Sequence, residues 1–136
     1  MLCTLARADS HQPDIEELKA RIAKAAVSDR PALCVQLSEM QLNAAGRFYA
    51  LGDSDQAKAA LTDVTAFAEL ARDYSIQSHK HEKQSEIAIR KMVRKLNDLK
   101  HTVSREDQPQ IDEAIGKLER VRDDLLTAMF PKGNKK

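Results

Sequence analysis

Apolar residues recur every three or four positions along most of the chain, which is the pattern of amphipathic helices. The first predicted helix runs from about 14 to 27, and the second runs from about 31 to 51. Pro31 stands at the start of the second helix and Gly52 follows its end, which are the places these residues favour at helix boundaries. The apolar positions of these two helices are Ile15, Leu18, Ile22, Leu33, Leu37, Met40, Ala44 and Phe48.

The stretch that follows contains neither Gly nor Pro from Asp53 to Gln108. We predict one long third helix over about 53–103, roughly 75 Å in length, whose first turn Asp53 and Gln56 cap. A heptad repeat runs through it, apolar at both ends but polar from Ser75 to Ser85. This middle either crosses solvent as a continuous helix or breaks into a loop. We expect the continuous helix, because no residue there actively ends one.

The last predicted helix runs from about 107 to 129, with Pro109 in its first turn and Ile111, Leu118 and Leu125 on its apolar side. A short linker makes it an antiparallel neighbour of the second half of the third helix. The expected fold class is therefore all-α. It is an elongated bundle of four helices, in which the long third helix joins an N-terminal three-helix lobe to a C-terminal, coiled-coil-like hairpin.

The segment from Cys34 to Ala68 resembles one tetratricopeptide repeat. Phe48 matches an aromatic position of the repeat, Gly52-Asp53 matches its turn, and Ala57 matches the small residue at which its two helices approach. The segment departs from the family at Gln41, where an early aromatic is expected, and at Ala45, where Gly is expected. No second copy follows 34 residues later, although stable arrays need about three copies. The resemblance implies a helical hairpin at this place.

The two termini differ from this single domain of about 9–130. Ala6-Arg7-Ala8 has the form of a signal-peptidase site, so residues 1–8 are expected to be a signal-peptide remnant or a disordered tail. Export predicts a periplasmic or secreted protein; without it the protein is cytoplasmic. Residues 131–136 form a basic tail that we expect to be disordered. Cys3 and Cys34 make no disulfide framework or zinc motif, and Cys34 has apolar neighbours typical of a buried thiol.

Composition and motifs exclude several functions. The net charge of +1 gives no general attraction to nucleic acid or anionic membranes, and no apolar run approaches the roughly 20 residues that cross a bilayer. The chain lacks the glycine-rich loops that hold phosphates and the GxSxG motif of serine hydrolases. We therefore expect neither an enzyme nor a bound cofactor.

One polar cluster has candidate metal ligands: His79, His81 and Glu82. Ser85 replaces the second His of an HExxH motif, so a metalloprotease is excluded. His79 and His81 lie about 200° apart around an intact helix and cannot bind one ion together there. They can do so only if the helix breaks at this point or if a second chain supplies ligands. The alternative is a hydrated polar patch.

Charge divides unevenly between the two halves of the predicted C-terminal hairpin. Residues 79–105 carry eight bases and three acids, a net charge of +5, whereas residues 106–124 carry three bases and seven acids, a net charge of −4. Opposite charge on two neighbouring helices favours their pairing. The bases Arg90, Lys91, Arg94 and Lys95 also raise the alternative of nucleic-acid binding, but no aromatic residues accompany them.

The leading hypothesis is a non-enzymatic helical protein, exported or in the cell envelope, that acts by contact with a protein partner or by self-association such as a homodimer. A small-ligand or metal-binding bundle using His79, His81 and Glu82 is the alternative. Nucleic-acid binding by the basic face of the third helix is a second alternative, although we expect no nucleic-acid partner.

Overall fold

The computed structural model describes residues 14–131, and this part of the chain consists of helices and turns without strands. The all-helical class is confirmed. The predicted signal-peptide remnant at 1–8 and the tail beyond Pro131 lie outside the described residues. The five α helices are α1 (Ile15–Lys24), α2 (Arg30–Ala50), α3 (Ser54–Ser78), α4 (Glu82–Lys100) and α5 (Gln108–Met129), and 3₁₀ turns precede α2 and α5 at Val27–Asp29 and Arg105–Asp107.

The single long third helix is wrong. The chain reverses direction at His79–His81, so the predicted helix of about 53–103 is divided into α3 and α4. His79 and His81 both have left-handed backbone conformations, with φ angles of 58° and 68°. Such a conformation ends a helix, but it ordinarily calls for Gly, and the sequence has none here.

The α2–α3 hairpin has the turn that its sequence predicts. Gly52 has a φ of 79°, and the amide of Asp53 donates to the carbonyl of Phe48 at 2.8 Å, while that of Gly52 donates to Tyr49 at 3.0 Å. These two bonds form a Schellman motif, which satisfies the last carbonyls of α2. The side chain of Asp53 then accepts a hydrogen bond from the backbone amide of Gln56 and caps the start of α3. The helical hairpin implied by the tetratricopeptide-like segment is thus present.

The last two helices, α4 and α5, form a second antiparallel hairpin, as predicted. Lys100 at the end of α4 lies 2.7 Å from Asp112 near the start of α5. At the opposite end of the hairpin, Arg122 of α5 reaches Glu86 of α4 at 2.9 Å. Opposite charges on the two helices thus meet at both ends of the pair.

The two hairpins pack on each other, so the elongated arrangement of lobes is also wrong. Helix α3 lies beside α5 and α2 lies beside α4. The Ser38 hydroxyl of α2 donates to the Val64 carbonyl of α3 at 2.7 Å and lies 3.6 Å from the Met92 sulfur of α4. Residues 64 and 92, which a straight helix would hold about 42 Å apart, therefore meet around one side chain.

Two apolar clusters reflect this packing. The larger one has buried side chains from all four helices of the two hairpins, including Leu42, Leu61, Leu96 and Leu118. The smaller one joins α1 to the start of α2 and the end of α3, and it includes Leu18, Ile22, Cys34, Leu37 and Ala71. Burial of this shared core is what holds the α4–α5 hairpin against the rest of the molecule.

Within residues 14–131, no helix has both the length and the apolar character needed to cross a membrane.

Two glycines give a matched test of this architecture. Gly52→Ala places a Cβ on a left-handed residue and should lower the free energy of unfolding by about 1 kcal/mol. Gly46 lies within α2, where an added Cβ meets nothing within 4 Å. Gly46→Ala should therefore raise the free energy of unfolding by about 0.5–1 kcal/mol, through helix propensity. Urea titration followed by circular dichroism measures both, and equal effects at the two sites would contradict the assigned turn.

Candidate functional site: the outer face of α4 and the turn before it

The turn that begins α4 has the same hydrogen bonds as the glycine turn after α2. The amide of Lys80 donates to the Ser75 carbonyl at 3.2 Å, and that of His79 donates to the Ile76 carbonyl at 3.3 Å. His79 thus takes the left-handed place that Gly52 takes in the first hairpin. His79, Lys80 and His81 are all exposed.

A buried polar contact lies directly inside this turn. Ser75 of α3 and Ser85 of α4 are buried, and their hydroxyl oxygens lie 3.1 Å apart. Two of the polar heptad positions predicted to cross solvent, Ser75 and Ser85, therefore satisfy each other in the interior. A neighbouring cavity of about 150 Å³ opens between α2 and α4, and its lining residues are Ala32, Val35, His81, Gln84 and Ser85.

The structure places His79 and His81 outside a regular helix but does not assemble a metal site from the candidate ligands. His79 and His81 flank Lys80 in the turn, and Glu82 begins α4. Among the described residues, no group of three or more His, Cys, Asp or Glu side chains is placed to hold a metal ion. The two histidines are thus free of the helical geometry that kept them apart, but together with Glu82 they do not form a three-ligand group in this conformation.

Glu86 is the one buried carboxylate within residues 14–131. Its Oε1 accepts from Nη2 of Arg90 at 2.9 Å, and its Oε2 accepts from Nε of Arg122 on α5 at 2.9 Å. Burial raises the pKa of Glu86, but the hydrogen bonds and charges of the two arginines outweigh it, so the pKa is held below the ordinary 4.5. Glu86 therefore links α4 to α5 through an ion pair with Arg122.

The outer face of α4 is strongly basic. Its exposed side chains include five bases and one acid, Asp98. Of the five, only Arg90 takes part in an ion pair with a described residue. We name the other four, together with Ile87, the α4 face; its members are Lys83, Ile87, Lys91, Arg94 and Lys95.

Ile87 lies at the centre of the α4 face. It is half-buried and packs against neither apolar cluster. Lys83 precedes it by four residues and Lys91 follows it by four, so one base lies on each side along the helix. Arg94, two turns further on, lies in the same row. An aliphatic side chain bordered by unpaired bases is a surface that complements an acidic, partly apolar partner.

The remaining chemistry of the described residues is less distinctive. A second cavity of about 150 Å³ lies between α3 and α5, where Lys58 and Lys117 flank Thr62, Thr65 and Glu113. The Cys34 thiol is buried, and this burial raises its pKa to about 11 against a smaller opposing effect of Arg30. Cys34 is therefore a packing residue, as predicted, since the reactive form of a thiol is the thiolate.

Sequence reasoning found the bases of the α4 face but missed Ile87 and the role of Glu86. Glu86 is adjacent to the predicted heptad position Ser85, and the helical period alone could have shown that Ile87 lies opposite Ile89 and Met92. The partner of Glu86 could not be read from the chain, because Arg122 is 36 residues away.

No protein-family model matches the chain. Comparisons with curated proteins and with solved structures gave no match either.

Glu86→Gln tests the ion pair that links α4 to α5. The glutamine amide keeps an acceptor oxygen for one arginine, but it turns an NH2 group toward the other and removes the negative charge. We expect the free energy of unfolding to fall by about 2 kcal/mol, less than for a fully buried pair because Arg90 is 48% exposed. Glu113→Gln is the control; Glu113 is exposed and 3.7 Å from Lys117, so the change should stay within about 0.5 kcal/mol.

The same pair of variants predicts a dependence on pH. Because the folded pKa of Glu86 lies below 4.5, its contribution is fully present above that pH and is lost as pH falls through the lowered value. The stability difference between wild type and Glu86→Gln, measured by urea titration, should therefore be constant near neutral pH and shrink below 4.5. A difference that grows on acidification would contradict the assignment.

Proposed function

We propose that this protein acts without catalysis, by binding an acidic and partly apolar segment of a partner protein through the α4 face. The observation that carries the proposal is the position of Ile87, half-buried outside both apolar clusters and bordered by bases that pair with no residue in the described part of the chain. A periplasmic or secreted location is part of the proposal and rests on Ala6-Arg7-Ala8 alone.

The charge of the α4 face supports an acidic partner. Lys83, Lys91, Arg94 and Lys95 form no ion pair with a described residue, so their charges are available to a second molecule. Exposed charges of one sign speed association and reject partners of like charge more than they add affinity. The bases of this face therefore determine which partner is accepted.

Ile87 supports a partner that is also apolar. A buried aliphatic contact surrounded by polar residues is the usual arrangement at protein interfaces, where a few central side chains supply most of the binding energy. A helix that carries acids on both sides of an aliphatic residue would place its apolar side chain on Ile87 and its carboxylates beside Lys83 and Lys91.

Two features of the surface favour a protein over a nucleic acid. The α4 face carries no aromatic side chain on which a base could stack. The half-buried Ile87 at the centre of the face offers apolar contact, which a protein side chain matches and a phosphate backbone does not.

Selection from a displayed library of helical peptides tests this proposal. We expect the enriched peptides to be acidic with a recurrent aliphatic residue, and to bind with a dissociation constant that increases at least about tenfold for Lys91→Glu/Arg94→Glu. Ile87→Ser should weaken binding without altering the salt dependence, because it removes apolar contact and no charge. Fluorescence anisotropy at two salt concentrations measures each effect.

The matched control is Lys58→Glu/Arg120→Glu, which makes the same change of charge at two exposed positions on other helices, α3 and α5. It should leave binding within about twofold of wild type. Enriched peptides without acids, or equal losses in the two double variants, would contradict the proposed surface. Tight binding of duplex DNA, with an affinity that Ile87→Ser leaves unchanged, would favour the nucleic-acid alternative instead.

A second candidate function is transition-metal binding at His79 and His81, with Glu82 as a further ligand. It is favoured by the break in the helix, which removes the geometry that kept the two histidines on opposite faces. Calorimetric titration of the untagged chain with Zn²⁺, Cu²⁺ and Ni²⁺ tests it. Heat of binding that disappears in His79→Ala/His81→Ala supports the site, and no heat together with unchanged melting in chelator rejects it.

A further inference from the structure

We propose that two copies of this chain exchange their α4–α5 hairpins, residues 79–81 straightening to join α3 and α4 into one helix. The second molecule in this inference is another copy of the chain. The inference is independent of the acidic partner proposed above, because the α4 face lies on the outside of the exchanged hairpin.

The turn at 79–81 is a strained connection. His79 and His81 have φ angles of 58° and 68°, and each carries a Cβ that disfavours the left-handed region. In the other hairpin turn the left-handed residue is Gly52, which carries no such penalty. Short hinges under strain are the usual points at which domains exchange, because opening them releases the strain.

The sequence across the turn is compatible with a helix. No Gly or Pro occurs from Asp53 to Gln108, and the heptad repeat continues in phase through the turn. Ser75 and Glu82 occupy its a positions, and Ser78 and Ser85 occupy its d positions. Straightening residues 79–81 would give a helix from Ser54 to Lys100, roughly 70 Å long. The helix that the sequence favours locally would thus form in the exchanged state.

The two hairpins are separable units with a specific interface between them. The contacts within the second hairpin, Glu86 with Arg122 and Lys100 with Asp112, stay within one chain after exchange. The contacts between hairpins are instead made by the other copy; they include Arg72 with Asp124, Ser38 with Met92 and Tyr49 with Gln110. The shared apolar core is therefore buried equally in the closed monomer and in the exchanged dimer.

The balance between the two states follows from this equality. Since the interface is the same in both, the hinge strain favours the dimer and the loss of freedom on association favours the monomer. Exchange should therefore depend on protein concentration and on the residues at the hinge, and little on the outer surfaces.

Substitutions at the hinge test the inference. His79→Gly or His81→Gly relieves a positive φ in the closed monomer and disfavours the helix in the dimer, so each should lower the dimerisation constant by at least about tenfold. His79→Ala/His81→Ala, which keeps the strain and favours the helix, should raise it. The chain is refolded from denaturant at about 1 mM, and its mass is measured by light scattering across a dilution series.

Lys80→Gly is the matched control, because Lys80 lies in the same turn without a positive φ. It disfavours the helix equally but relieves no strain, so it should lower dimerisation less than either histidine variant. Equal effects at all three positions, or a monomeric His79→Ala/His81→Ala chain at the highest concentration, would overturn the inference.

A disulfide lock distinguishes exchange from ordinary surface association. The hydroxyls of Ser75 and Ser85 lie 3.1 Å apart, so Ser75→Cys/Ser85→Cys, made with Cys3 and Cys34 replaced by Ala, places two thiols across the turn. Oxidised while dilute and checked for loss of free thiols, this chain should stay monomeric on refolding, and reduction should restore the dimer. A dimer that forms equally well in the oxidised chain would overturn the inference.

Discussion

The reversal of the chain at His79–His81 determines which surfaces of this protein meet. It brings Ser75 onto Ser85 and Met92 onto Ser38, and it lays the α4–α5 hairpin against the α2–α3 hairpin. Two left-handed residues that are not glycine are unfavourable in isolation. They persist here because the reversal buries one apolar core drawn from four helices, and burial on that scale far outweighs the local cost.

The sequence was sufficient where local chemistry decides the structure. Gly52 and Asp53 carry the signals of a helix end and a helix start, and the structure has both. The regular spacing of apolar residues in α4 and α5, with the short linker between them, predicted the antiparallel contact of these two helices. The reversal could not be predicted in this way, because the positions around it carry no Gly or Pro and the polar residues at 75 and 85 look solvated. Their pairing depends on two helices that meet only after the chain has turned.

The candidate surface shows the same limit. Lys91 and Arg94 are visible as charges in the sequence. Only the fold shows that two acids of α5 pair elsewhere, Asp112 with Lys100 and Asp124 with Arg72, and that the bases of the α4 face pair with no described residue. Ile87 becomes informative once the apolar clusters are known not to include it. An aliphatic residue among bases is then a binding surface, whereas in the linear sequence it is one more apolar residue in a helix.

The most direct test of this account is the distance between α3 and α4 in the monomer. Spin labels are attached at the exposed positions 58 and 95 of a dilute chain in which Cys3 and Cys34 are replaced by Ala. Double electron–electron resonance then measures the distance between the two labels. The reversal predicts a separation within about 30 Å, since neighbouring helix axes in a bundle lie 8–10 Å apart. A separation near 56 Å, the length of 37 residues in one straight helix, would contradict the account.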